Sequence, residues 1–147
     1  MIALDPELRL TPALADLARV YPWLDQVAAG SPAAVLSRMH VALEEAVANA
    51  ALHGFPGGSD GHIVLRALRR GDLMVLEVED DGIPFDPTQA AVRARASRLE
   101  EAEPGGWGLG LIRAFTTSIG YERRGGRNVL RLGFFLTGGA MTGGTIA

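Results

Sequence analysis

Residues 62–84 read His-Ile-Val-Leu-Arg-Ala-Leu-Arg-Arg-Gly-Asp-Leu-Met-Val-Leu-Glu-Val-Glu-Asp-Asp-Gly-Ile-Pro, and their pattern decides the fold class. Two runs rich in aliphatic residues, His62–Arg69 and Leu73–Asp80, flank a short turn at Arg70-Gly71-Asp72. That is the signature of two strands joined directly. In the second strand, successive side chains face opposite ways. Met74, Leu76, Val78 and Asp80 share one face, and Leu73, Val75, Glu77 and Glu79 share the other. Asp80 is therefore in phase with apolar residues, where an unpartnered carboxylate is costly. A hydrogen-bond donor must meet it. Asp81 points the other way or into the turn that Asp-Gly favours.

Working outward, Met1–Leu10 reads as a short strand, with Pro6 marking an edge or a break. Thr11-Pro12 is a helix start signal. Leu14, Leu17, Ala18, Tyr21, Leu24 and Val27 then recur at helical spacing through Ala29, with a kink expected at Pro22 and a stop at Gly30. Ser31-Pro32 repeats the start signal for a second helix, which runs to about His53 and ends at Gly54. Phe55–Gly61 is a Gly/Pro-rich loop. Beyond the strand pair, residues 86–104 are rich in Ala, Arg and Glu. The run Gly105-Gly106-Trp107-Gly108-Leu109-Gly110 then opens a helix from Leu111 to about Thr117. Ile119–Arg124 and Asn128–Phe135 form a hairpin through Gly125-Gly126. Helices, then strands, then helix, then strands argue for an α+β two-layer sandwich rather than βαβ alternation. Residues 1–136 make one domain, and the Gly/Thr-rich residues 137–147 are expected to be a disordered tail.

Composition narrows the function. The chain has 147 residues, 48% hydrophobic and 21% charged, enough for one domain with a proper core. Its net charge of −3 implies no general nucleic-acid or anionic-membrane surface. Every basic residue other than His is Arg, so the phosphate-binding lysine of a P-loop and the strand lysine of ordinary protein kinases are missing. With no Cys, thiol nucleophiles and zinc–thiolate sites are excluded. No secretory leader or membrane-spanning run is expected, which places the chain in the cytoplasm.

Two further motifs join Asp80. In Glu45-Ala46-Val47-Ala48-Asn49, residues four apart share a helix face, so Glu45 and Asn49 project together. A carboxylate beside an amide oxygen suits a hydrated Mg²⁺, with the carboxylate available as a base. A solvent-facing polar pair is the plainer reading of that motif alone. Glu44 has Ala48 as its i+4 partner and reads as structural. The glycines at 105, 106, 108 and 110 let backbone approach a phosphate closely, ahead of a helix N-terminus that favours anions. A flexible hinge would have the same composition.

In this order the three motifs resemble the N, G1 and G2 boxes of the GHKL ATPases, a group that includes gyrase, histidine kinases and MutL. The likeness is closer to the RsbW/SpoIIAB-like serine kinases that act as bacterial anti-sigma factors. Glu45–Gly54 resembles the N box, Asp80–Pro87 the G1 box with its Pro-Phe-Asp-Pro ending, and Gly105–Ile112 the G2 box; Asn128–Leu132 is similar to the last strand. The likeness covers roughly Leu8 to Leu136. It implies a Bergerat fold with a mixed, largely antiparallel sheet. It also implies that Asn49 holds Mg²⁺ and contacts the nucleotide, and that Glu45 takes the proton from a serine hydroxyl. Asp80 would accept from the adenine amino group, Gly82 would let the chain pass the base, and Gly106, Gly108, Leu109 and Gly110 would wrap the phosphates of ATP. Residues 86–104 would form a lid, from which Arg93, Arg95 or Arg98 reaches the γ-phosphate.

The implied activity is ATP-dependent phosphorylation of a STAS-type anti-sigma antagonist, with a sigma factor as the alternative partner and a homodimer as one allowed assembly. Two departures stand out: Pro84 replaces the second G1 glycine of many relatives, and Trp107 is bulky for a G2 box. His40, His53 and His62 lie within the ATPase core and the first helix carries no His, so autophosphorylation on His is not expected. The alternative is a nucleotide-dependent binding module without transfer activity. Glu45 argues against it, because a pure binder needs no base.

Overall fold

A computed structural model of the chain describes residues 6–56, 60–89, 106–137 and 144–145. In order the elements are β1 (Glu7–Leu10), α1 (Leu14–Leu17), α2 (Val20–Val27), α3 (Ala33–Gly54), β2 (Ile63–Arg70), β3 (Leu73–Asp80), α4 (Gly106–Phe115), β4 (Ser118–Arg124), β5 (Arg127–Phe135) and β6 (Gly144–Thr145). The strands form one sheet in the order β1-β2-β3-β5-β4-β6. Every neighbouring pair is antiparallel except β4 with β6. This is the mixed, largely antiparallel α+β sandwich expected from the sequence.

The helical layer rests on α3, whose buried residues Val35, Met39, Leu43, Ala46, Val47 and Ala50 recur at three- and four-residue spacing. They meet the inner sheet face, where Leu65, Leu76, Val78, Leu130, Leu132 and Phe134 are buried in one continuous core. The outer face carries a ladder of charge instead. Arg66 Nη1 lies 3.0 Å from Glu77 and 2.6 Å from Glu79. Arg131 Nε lies 3.1 Å from Glu77, and its Nη2 reaches Glu122 at 2.9 Å. Opposite charges on adjacent strands satisfy the two glutamates that the central strand buries. Burial alone would raise the Glu79 carboxyl, but hydrogen bonds and positive charge from Arg66 and Arg127 together outweigh it and hold Glu79 below the usual carboxylate range.

The β4–β5 hairpin closes through Gly125-Gly126, with φ of +59° and +77°. Positive φ at both central residues is what a two-residue type I′ turn requires.

Three expectations are corrected. The first helix is not one kinked helix running from Thr11-Pro12 through Ala29 but two, Leu14–Leu17 and Val20–Val27, broken between Leu17 and Val20. In an unbroken helix the Pro22 ring would strike the carbonyl of Ala18, four residues back. With the break, Pro22 falls in the first turn of α2, where its missing N–H is no loss. Thr11 does not cap the helix either. Its N–H and hydroxyl donate to Asp16 Oδ2 at 2.8 and 2.9 Å, and α1 starts two residues later, after Ala13. Finally, α4 begins at Gly106 rather than Leu111, so the glycine-rich run is wound into the helix itself. Residues 90–105, with Arg93, Arg95 and Arg98, lie outside the described residues, as do the side chains of Trp107 and Leu109. Of the expected tail beyond 137, Gly144–Thr145 are described and pair parallel with β4.

Candidate functional site

The inner face of the sheet, the C-terminal half of α3, the segment after β3 and Ile112 of α4 leave a cleft lined by Asn49, Val78, Asp80, Phe85, Ile112, Tyr121 and Asn128, together with Ala46, Ala50, Pro87 and Leu130. Its walls are largely apolar, and its few polar groups (Asn49, Asp80, Tyr121 and Asn128) converge from four elements, the composition of a small-molecule site.

Asp80 comes into the cleft by strand phase, and its environment is specified atom by atom. Its Oδ1 accepts the N–H of Gly82 at 2.9 Å and the Nδ2–H of Asn128 at 2.9 Å. Its Oδ2 accepts no hydrogen bond among the described residues. Burial pushes its carboxyl above the ordinary carboxylate range, against the pull of these two donors and of the Arg123 charge. Asp81 has a different fate. Its oxygens accept the backbone N–H of His62 at 2.8 Å and meet the His62 ring at 3.1 Å, which closes the turn outside the cleft.

Gly82 is required by its neighbour. A Cβ here would lie 2.4 Å from the carbonyl oxygen of Gly54 and 2.7 Å from its Cα. The turn packs backbone to backbone on the end of α3, and Ile83 N–H donates to that same Gly54 carbonyl at 2.9 Å. Two glycines thus pin the Asp80 turn to the helix that carries Glu45 and Asn49.

Asn49 is buried, 4% exposed, and its Nδ2 has no partner among the described residues. A buried amide left unpaired costs about 1–3 kcal/mol. Oxygen and nitrogen of an amide are assigned from hydrogen bonding, so a half-turn of the group presents the oxygen a hard cation needs. Glu45, one turn earlier, is half-buried and stands beside the cleft rather than lining it, while Glu44 is exposed. Gly106, Gly108, Leu109 and Gly110 all lie in the first turns of α4, whose Ile112 lines the cleft. No group of three or more His, Cys, Asp or Glu side chains suited to a metal occurs among the described residues. A cation here would depend on Asn49, water and a ligand's own oxygens.

Asn128 carries a role that its sequence did not disclose. It pairs with Asp80 across β3 and β5 and uses its whole amide internally. Nδ2 donates to Asp80 Oδ1 and, at 2.8 Å, to the Ile83 carbonyl. Oδ1 accepts from the Phe85 N–H at 3.2 Å and from the Tyr121 hydroxyl. One side chain thereby fixes the Asp80 carboxylate, the turn after it and a wall of the cleft. Asn128→Leu would leave those four groups short of a partner. It is expected to destabilise the fold by about 3–5 kcal/mol and lower Tm by roughly 10 °C. Thermal unfolding checks this, and a shift under about 2 °C would show that the network is dispensable.

The chain matches the histidine kinase-like ATPase domain family over residues 10–134. It is 37% identical over 114 residues to the serine/threonine-protein kinase BtrW of Bordetella bronchiseptica, a match covering 75% of this chain and 79% of that protein. It is 29% identical over 87 residues to an anti-sigma F factor of Clostridium kluyveri, covering 59% of this chain and 61% of the relative. In three dimensions it resembles the RsbU and RsbW domains of a Mycobacterium tuberculosis protein, with TM-score 0.62 and 21% identity over 99% of this chain and 36% of that one. The histidine kinase domain of a blue-light-activated kinase from Erythrobacter litoralis follows at TM-score 0.54 and 20% identity, over 84% of this chain and 60% of that one. At these identities the two structures speak for the fold alone. The chain belongs to the histidine kinase-like ATPase domain family, in the branch that holds the serine/threonine-protein kinase BtrW.

Proposed function

We propose that this protein transfers a phosphoryl group from Mg·ATP to a serine or threonine of a STAS-type anti-sigma antagonist, and holds a sigma factor when that antagonist is repelled. The carrying observation is the buried Asn49 amide, whose Nδ2 has no partner among the described residues, on one helix face with Glu45 and in one cleft with the Asp80 carboxylate. Bound Mg·ATP supplies the transferable group and the cation that offsets its charge. The rest falls to this chain. Asp80 Oδ2 accepts from the exocyclic amino group of adenine, Asn49 holds the cation, and Glu45 removes the proton from the attacking hydroxyl. The first turns of α4 present backbone N–H groups to the phosphates. Phe85 and Pro87 stand at the wall of the cleft that a purine would enter. Phe85 is stacked on His53, ring centroids 4.6 Å apart, which sets its resting position.

Phosphorylation adds charge to the antagonist, which would then release this protein to bind sigma. We place this switch in the cytoplasm; no helix among the described residues is long and apolar enough to cross a membrane. The test is incubation with Mg·ATP and a STAS protein from the same genome, followed by mass spectrometry of the antagonist. One phosphoserine or phosphothreonine is expected, and an unmodified antagonist from every candidate pair would reject the reading.

Two substitutions test the nucleotide contacts. In Asp80→Asn, the amide oxygen keeps the bonds from Gly82 and Asn128, and the NH₂ takes the place of the free carboxylate oxygen. A donor then faces a donor. ATP affinity is expected to fall about 10- to 100-fold, the worth of a hydrogen bond to a charged group, with Tm held or raised because no charge is buried. Unchanged affinity in a calorimetric titration would remove Asp80 from adenine recognition. Gly110→Ala probes the phosphate end. A Cβ there meets none of the described residues within 4 Å, so the helix should gain roughly 1 kcal/mol. If the glycine-rich turn must rearrange around the phosphates, the same change weakens ATP binding. A variant that gains stability and binds ATP equally well would show that this turn stays helical in the complex.

A further inference from the structure

Around Asp80 the cleft has spent its donors on itself. The Gly82 N–H and Asn128 Nδ2 both serve Asp80 Oδ1, at 2.9 Å each. Asn128 Nδ2 also serves the Ile83 carbonyl, the Phe85 N–H serves Asn128 Oδ1, and Arg123 Nη1 serves the Gly82 carbonyl at 2.8 Å. These bonds leave the Asn128 amide one orientation. Its nitrogen faces two acceptors, a carboxylate and a carbonyl, and its oxygen faces a backbone N–H.

That orientation fixes the role of Tyr121, which stands on β4, packs against the core and lines the cleft. Its hydroxyl bonds to Asn128 Oδ1, and because that oxygen only accepts, the hydroxyl must donate. Burial pushes the phenol above its ordinary range, against the pull of the Arg123 charge, so the hydrogen stays in place. A hydroxyl oxygen carries two acceptor lone pairs. The Phe85 N–H, which also pulls on the phenol oxygen, can take at most one of them. The other is left to the cleft. Tyr121 therefore offers a ligand an acceptor, as Asp80 does, and the two side chains are anchored at opposite ends of one amide.

We propose that Tyr121 is a specificity-determining residue of the nucleotide site, its hydroxyl oxygen accepting the second N–H of the purine's exocyclic amino group while Asp80 accepts the first. The proposal rests on the ATP reading above and refines it. An exocyclic amino group has two N–H bonds, and two acceptors on one wall satisfy both. A carbonyl at the same ring position, as in guanine, would set its lone pairs against two acceptors. A purine with hydrogen there would leave both acceptors without a donor, and a buried acceptor left unpaired is costly.

The probes are ATP and purine riboside triphosphate, which has hydrogen where ATP has its amino group, each titrated with Mg²⁺ into the parent and into Tyr121→Phe. The parent should bind ATP more tightly by at least about 10-fold, the worth of a hydrogen bond to a charged group. Tyr121→Phe should weaken ATP by about 3- to 10-fold, the worth of one neutral hydrogen bond, and leave the analogue within about twofold. The ratio of the two affinities therefore narrows. Tm should fall by less than about 4 °C, since Asn128 Oδ1 keeps the Phe85 N–H. An unchanged ratio in Tyr121→Phe would overturn the proposal while leaving Asp80 in adenine recognition. That holds whether neither nucleotide is weakened or both are weakened alike, the mark of a tyrosine that only braces Asn128. A larger fall in Tm would overturn it for the same reason. A parent that binds the two nucleotides equally would overturn the adenine reading itself, and this proposal with it.

Discussion

Asn49→Ala is expected to lower Mg·ATP affinity by about 100-fold or more while leaving Tm unchanged or slightly higher. The two halves come from one observation. Nδ2 of Asn49 is buried without a partner among the described residues, and such an amide costs the folded protein about 1–3 kcal/mol. Truncation removes that cost and offsets it with a small cavity, so stability should not suffer. A purely structural asparagine would behave in the opposite way, losing stability when cut. Binding should collapse because no cluster of carboxylates among the described residues stands by to hold the cation. Even groups that only support a metal ligand are worth about 10- to 100-fold in affinity. Titration of the variant with ATP, with and without Mg²⁺, reads the effect. Retained Mg²⁺-dependent affinity would sink the metal assignment, and a large drop in Tm would make Asn49 a packing residue.

Glu45→Ala is expected to separate binding from chemistry. Glu45 is half-buried, beside the cleft but not in its wall. ATP affinity and Tm should therefore stay near those of the parent. Transfer to the antagonist should fall by about 100- to 10,000-fold, the usual range for a positioned general base. Glu45→Gln, which keeps size and polarity, should be as slow. If the alanine variant transfers phosphate at the parental rate, another group takes the proton. If it fails to bind ATP, Glu45 belongs to the nucleotide site and its role as base is left without support.

What the sequence made legible is what local periodicity controls. Helix phase separates Glu45 from Glu44, and the structure finds the first half-buried and the second exposed. Strand phase separates Asp80 from Asp81, and only Asp80 lines the cleft. Both follow from residues a few positions apart. Asn128 was out of reach because its role depends on β3 and β5 being neighbours, and Asp80 and Asn128 are 48 positions apart in the chain. A polar amide within an aliphatic strand was the one available signal. The backbone contact between Gly54 and Gly82 is equally non-local. The start of α4 was misplaced for another reason. Glycine propensity argues for a loop at 105–110, but packing of α4 on α3 outweighs the roughly 1 kcal/mol that each helical glycine costs.

The central claim is that the γ-phosphoryl group goes to a protein hydroxyl and not to water. Its most direct test is a single turnover with ATP labelled in the γ-phosphate, the protein in excess, and a STAS antagonist present. The account predicts that the label moves to a serine or threonine of the antagonist, with little released as inorganic phosphate. Label recovered as inorganic phosphate would identify a hydrolase, and label remaining in bound ATP would identify a binding module. Either result would contradict the account.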